Sequence, residues 1–235
     1  MSTADLLGTA TEPLDPTHEE RRRLLRTAGL AGIGAFVLWL CQPLLVAVLS
    51  SNDTDAPTIE TLESMRFTGS VEAVLFTGIA ASLMVLVLAT WRVIGLSTPR
   101  PGTASTVGLV MGLVGASGWV WSAGDSLSMY TSVGAGLADI TASPEVQAAS
   151  LQASYLSVTA GLVVFTIGSF GWYVMLVTTG RRAGLVGKPL AALLGLLLLG
   201  PLYQLATPFA APWSLIVFVL GALVLGIAML VKSRA

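Results

Sequence analysis

"GSVEAVLFTGIAASLMVLVLATWR", residues 69–92, decides the fold class. No charged residue lies between Glu72 and Arg92. An α-helix rises about 1.5 Å per residue and the hydrocarbon core of a bilayer is about 30 Å thick, so about 20 residues cross it. Glu72 and Arg92 therefore stand one bilayer thickness apart. The stretch reads as a transmembrane helix with one charge in each headgroup layer.

Five further runs match its length and apolar character: 27–49, 104–128, 153–178, 186–207 and 212–231. Only 11% of the chain is charged and 54% is hydrophobic, with a mean hydropathy of +0.81. Soluble domains carry about 25% charged residues, which places this chain outside their class. The expectation is an all-α polytopic membrane protein, a bundle of six transmembrane helices. Residues 1–23 read as a cytoplasmic N-terminal tail, largely disordered, and 24–235 as one six-span domain. "PTHEERRRLLR", residues 16–26, can carry the first helix into the cytoplasm. The first apolar run exceeds the 7–15 residues of a signal-peptide core and has no A-x-A site after it, so it stays a span.

Charge sets the orientation. Arg21, Arg22, Arg23, Arg26, Arg92, Arg100, Arg181, Arg182, Lys188, Lys232 and Arg234 fall on one side of the spans, and Arg66 alone on the other. The second side holds Asp53, Asp55, Glu60, Glu63, Glu72, Asp125, Asp139 and Glu145. Basic short loops mark the cytoplasmic face, so both termini are expected inside a bacterial-type cytoplasmic (inner) membrane. The inner cations also fit attraction to anionic membrane lipids. None of them forms a nucleic-acid patch.

The same depth ruler locates the polar residues. Counted from Thr103, the outer edge of the third span falls near Ala123, just before Asp125. Glu72 and Asp125 are thus expected at similar heights on neighbouring helices, at the outer boundary. A charge at the bilayer centre costs about 2.5–3.5 kcal/mol on insertion scales, so this position matters. Gln42 lies one turn inside the outer edge, beside Pro43, and Tyr203 and Gln204 do the same on the fifth span. Tyr155 lies near the outer headgroups. These six residues could line a vestibule open to the outside. Alternatively, Trp119, Trp121, Tyr130, Tyr155 and Trp213 form an interfacial aromatic belt and the glutamines cap helices.

Small residues recur every four positions, at Gly108, Gly112 and Ala116 and again at Ala28 and Gly32, and are read as seams inside the bundle. Pro201 is expected to interrupt the fifth span. Cys41, the one cysteine, is read as a small core residue, and neither a disulfide nor a thiolate metal site can be built from it. The single histidine, His18, precedes the first span, which excludes bis-histidine haem, an HExxH zinc site and a Ser–His protease. "SAGD", 122–125, lacks the first glycine of the GxGD of intramembrane aspartyl proteases and has no second intramembrane aspartate to share the acid–base work. The chain is therefore not expected to be an enzyme or to hold a cofactor or metal.

Residues 161–209, "GLVVFTIGSFGWYVMLVTTGRRAGLVGKPLAALLGLLLLGPLYQLATPF", carry an apolar helix, a basic turn and a proline-bearing helix. This pattern resembles a bacterial family of six-helix membrane proteins, a domain of unknown function of the 4386 group, over about residues 24–231. The resemblance implies topology and carries no activity or site residues. The function expected is non-enzymatic: binding or passing a small solute or lipid through the outer vestibule. The alternative is an accessory or regulatory subunit that contacts a partner membrane protein through the acidic outer loops 51–67 and 130–150.

Overall fold

The computed structural model describes residues 16–49, 66–98, 102–128, 143–206 and 213–234. Every regular element among them is helical. Helix α1 spans Pro16–Leu49, α2 Arg66–Ser97, α3 Thr103–Ser128 and α4 Pro144–Met175, followed by a π-helical turn at Leu176–Gly180. Three shorter helices follow among the described residues: α5 Lys188–Leu197, α6 Leu199–Ala206 and α7 Trp213–Lys232. Helix α1 begins at Pro16, so residues 16–23 form its first turns and run straight into the first apolar stretch.

Four helices are long and apolar enough to cross a membrane, over Thr17–Leu45, Phe67–Ser97, Thr103–Ser128 and Ala160–Gly180. The fifth expected run, 186–207, is not one helix. It breaks at Leu198 into α5 and α6. Pro201 explains the position of the break. It has no N–H to give to the Leu197 carbonyl four residues back, and its ring crowds that same carbonyl. Pro43 sits inside α1 and leaves it continuous. Between α4 and α5 the chain reverses in a tight turn. Gly184 takes φ +67°, a left-handed conformation that favours glycine, and Leu185 N–H donates to the Gly180 carbonyl at 2.8 Å.

The helices pack in sequence order, α1 on α2, α2 on α3 and α3 on α4, and α7 returns to pack against α1. The α3–α4 seam is made by glycines. A Cβ built on Gly168 would lie 2.2 Å from the Gly115 nitrogen, and one on Gly118 2.3 Å from the Gly161 carbonyl oxygen. Backbone thus lies on backbone, the arrangement that gives helices dispersion contact where lipid supplies no hydrophobic drive. Gly108 and Gly112 belong to this seam, facing Met175 and Trp172, and Gly32 packs against Ala222 and Gly226 of α7. Both rows of small residues therefore act within the bundle.

An aromatic chain crosses the core from α2 to α7. Phe76 meets Trp119 at 5.1 Å between ring centroids, Trp119 meets Phe165 at 5.4 Å, and Phe165 meets Phe218 at 5.9 Å. Tyr173 stacks on Phe218 at 5.0 Å, and its hydroxyl donates to the Phe218 carbonyl at 2.8 Å. That bond satisfies the one polar atom of a fully buried ring. A Cβ at position 221 would sit 2.5 Å from this hydroxyl, so Gly221 makes the approach possible.

Two expectations about side chains need correction. Cys41 is exposed on α1, not in the core. Its helix presents Leu30, Val37, Leu40 and Leu44 outward as well, a stripe suited to lipid. Trp119 is 1% exposed and belongs to the core, whereas Trp121, two residues on, is 51% exposed. Of the expected aromatic belt, only Trp121 is seen facing out; the side chains of Tyr130, Tyr155 and Trp213 lie outside the described residues.

Candidate functional site

The bundle has two chemically opposed ends. At one end Arg22 Nε donates to the Ser233 carbonyl at 2.9 Å, joining the start of α1 to the end of α7. Lys232 Nζ donates to the Gly184 carbonyl, which brings in the turn between α4 and α5. Ile94 of α2 lies beside Gly180, so the end of α2 is there too. The basic residues of four separate segments thus share one end. Cations serve here as caps for carbonyls at helix ends, which have no partner within the helix.

At the opposite end the polar bonds run to carboxylates. Gln42 Nε2 on α1 donates to Glu72 Oε1 on α2 at 3.0 Å. Ser157 Oγ on α4 donates to Asp125 Oδ2 on α3 at 2.6 Å. Both carboxylates are part-buried, and both donors are neutral, so the bonds orient the acids without bringing an opposite charge to them.

Register places the two acids at one level. Phe76 faces Trp119 and Val87 faces Gly112, an antiparallel pairing that brings Glu72 level with the α3 turn carrying Asp125. Each carboxylate nevertheless takes its donor from a different helix, Glu72 from α1 and Asp125 from α4. Trp119 lies six residues before Asp125 on α3, about 9 Å along the axis at 1.5 Å per residue, and its ring is packed in the core against Phe76 and Phe165. Its indole N–H is buried with no hydrogen-bond partner among the described residues. A buried donor of this kind asks for an explanation, since such groups are normally satisfied.

The remaining expected site residues are less informative. Tyr203 stands on α6 and is 54% exposed. Tyr155 lies on α4 and Gln204 on α6, with side chains outside the described residues. Most of the acidic outer loops falls outside them as well, and their described ends run into helices: 66–67 begin α2 and 144–150, with Glu145, begin α4. Sequence reasoning missed Ser157. The pairing of Gly161 with Ser122 across the seam sets it beside Asp125, and a glycine register drawn from the sequence could have found it. No family model, no curated protein and no solved structure matches this chain.

Proposed function

We propose that this chain is a six-span protein of a bacterial-type cytoplasmic membrane, with both termini inside, α5 and α6 together forming the fifth span and α7 the sixth. In this reading it is non-enzymatic, and its outward end binds a small cationic solute or lipid headgroup. The observation that carries the reading is the Gln42–Glu72 pair. A carboxylate set between two helices and oriented by a neutral amide keeps a charge that a cation, or a proton, can satisfy. Asp125, level with it on α3, adds a second carboxylate.

The test is thermal unfolding of the full-length protein in detergent with sodium, calcium or tetramethylammonium chloride at constant ionic strength. A ligand that binds only the folded state raises its stability by mass action. At least one of the three cations is expected to raise the Tm of the parent, and Glu72→Gln is expected to abolish that rise. No response to any of them, or an equal response in Glu72→Gln, contradicts the reading.

One observation favours a second reading. Only 22% of the most apolar stretch of α1 is buried, against 44–50% in the other three long helices. A partner membrane protein could cover this face while the acidic outer loops, 51–67 and 130–150, contact its extracytoplasmic part. Purification in a mild detergent would then yield the chain with a stoichiometric second protein, and a chain recovered alone at full stability would count against it.

A further inference from the structure

At the basic end, a cavity of about 540 Å³ opens along the contact between α1 and the end of α7. Its walls include Arg22 and Arg26 from α1 and Arg234 from beyond α7, with Leu30 and Leu230 also lining it. The order along each wall is regular. Arg22, Arg26 and Leu30 follow at four-residue steps on one face of α1, and on the other wall Leu230 lies in α7 and Arg234 in the turn past its end, so each wall runs from guanidinium to leucine. Residues four apart share one helix face. The cavity is therefore cationic at its mouth and apolar farther along the two helices, where Leu30 faces outward.

Its charge is largely uncompensated. Glu19, the one acid in the lining, pairs with Arg23 at 3.4 Å. Arg22 Nε is held by the Ser233 carbonyl, which fixes the guanidinium at the mouth and leaves its two terminal nitrogens outside that bond. On the other side of this contact Arg21 Nε is buried without an acceptor among the described residues. Lys232, whose amine donates to the Gly184 carbonyl, lies there too. Cations that outnumber the one carboxylate, itself already paired, make a site that an anion stabilises.

From this geometry we infer that the α1–α7 cavity is a specific binding site for the phosphate of an anionic phospholipid, held by Arg22, Arg26 and Arg234 with an acyl chain laid along Leu30 and Leu230. Guanidinium groups match phosphate oxygens in pairs. Basic pockets between helices on the cytoplasmic side have this chemistry. The leucines favour a lipid over a free phosphate, because a soluble anion has no use for an apolar wall. The site is at the opposite end from Glu72, and it stands or falls independently of what that end binds.

Native mass spectrometry of the full-length protein, released from micelles holding equal phosphatidylglycerol and phosphatidylcholine, tests the inference. The parent is expected to retain phosphatidylglycerol in preference. A basic residue near an anionic surface is worth about 1 kcal/mol, so Arg26→Gln should cut that preference about fivefold and R26Q/R234Q about thirtyfold. R181Q/R182Q removes two exposed cations from the same end but outside the cavity, and should change it little. Absence of a preference in the parent, or an equal loss in R181Q/R182Q, would overturn the site and leave only diffuse attraction. Displacement of the lipid by glycerol 3-phosphate at equal concentration would overturn the lipid assignment in favour of a free phosphate.

Discussion

The two ends of this bundle solve the same problem with opposite chemistry. At the basic end, cationic side chains donate to backbone carbonyls, Arg22 to Ser233 and Lys232 to Gly184. At the other end, neutral side chains donate to carboxylates, Gln42 to Glu72 and Ser157 to Asp125. In neither case does a bond join opposite charges across helices. Each end keeps its sign, and the helices are tied together without neutralising it. A bundle built this way presents a cationic face and an anionic face separated by an apolar middle. The middle holds the ends at their fixed distance, so the largest effects of mutation are expected there.

The strongest break is Gly168→Leu. Position 168 meets the Gly115 backbone, which cannot move aside as a flexible side chain would. Overpacking typically costs about 1–3 kcal/mol and more where backbone must shift, so loss of the α3–α4 seam and of folded yield is expected. Gly124→Ala is its control, because nothing lies within 4 Å of a Cβ there. It should be neutral or stabilising by up to about 1 kcal/mol through helix propensity. Thermal unfolding in detergent and size-exclusion profiles compare the two. Equal behaviour would remove the glycine seam as the frame of the bundle.

Tyr173→Phe comes next. It keeps the stacking on Phe218 but deletes the hydroxyl that reaches the Phe218 carbonyl. Interhelical hydrogen bonds in membrane proteins average about 0.6 kcal/mol and reach about 1.7, and this fully buried one should fall in the upper part of that range. The same unfolding assay measures it, and a silent substitution would show the bond to be incidental.

The end bonds should be the weakest. Gln42→Leu and Ser157→Ala each remove a donor to a part-buried carboxylate, and about 0.6 kcal/mol is expected for either. Their value lies in the difference between them. Ser157 borders the tight glycine seam, whereas α1 meets α2 through side chains, as Leu38 does against Gly78. A carboxylate on the looser seam has more room to exchange its partner for a ligand. Cation-dependent stabilisation should therefore change in Gln42→Leu and persist in Ser157→Ala. The reverse pattern would move the candidate site from Glu72 to Asp125.

Much of this was legible in the sequence because hydropathy and charge report position along a helix axis. The sorting of basic from acidic residues along the apolar runs marked the two ends, which the bundle gathers as Arg22 and Lys232 at one and Glu72 and Asp125 at the other. The small residues at Gly108 and Gly112 gave a seam. What hydropathy does not report is direction around the axis. In a helix apolar on all sides, core and lipid faces look alike, which is why Cys41 was expected inside and Trp119 at the surface. Pro201 announced a break in the fifth run, but the carbonyl it disturbs lies four residues earlier, and the chain gives way at Leu198. Ser157 was missed for a related reason. A lone serine near a helix end acquires meaning only once the register of α4 on α3 is known.

The opposition of the two ends across a membrane is the central claim, and surface labelling tests it most directly. In a Cys41→Ser background, single cysteines replace Ser143, before α4, and Ser97, at the end of α2, both exposed positions at opposite ends of the bundle. Intact cells are treated with a membrane-impermeant maleimide. The account predicts that Ser143→Cys reacts at once and that Ser97→Cys reacts only after the cells are broken. Labelling of Ser97→Cys in intact cells would contradict it.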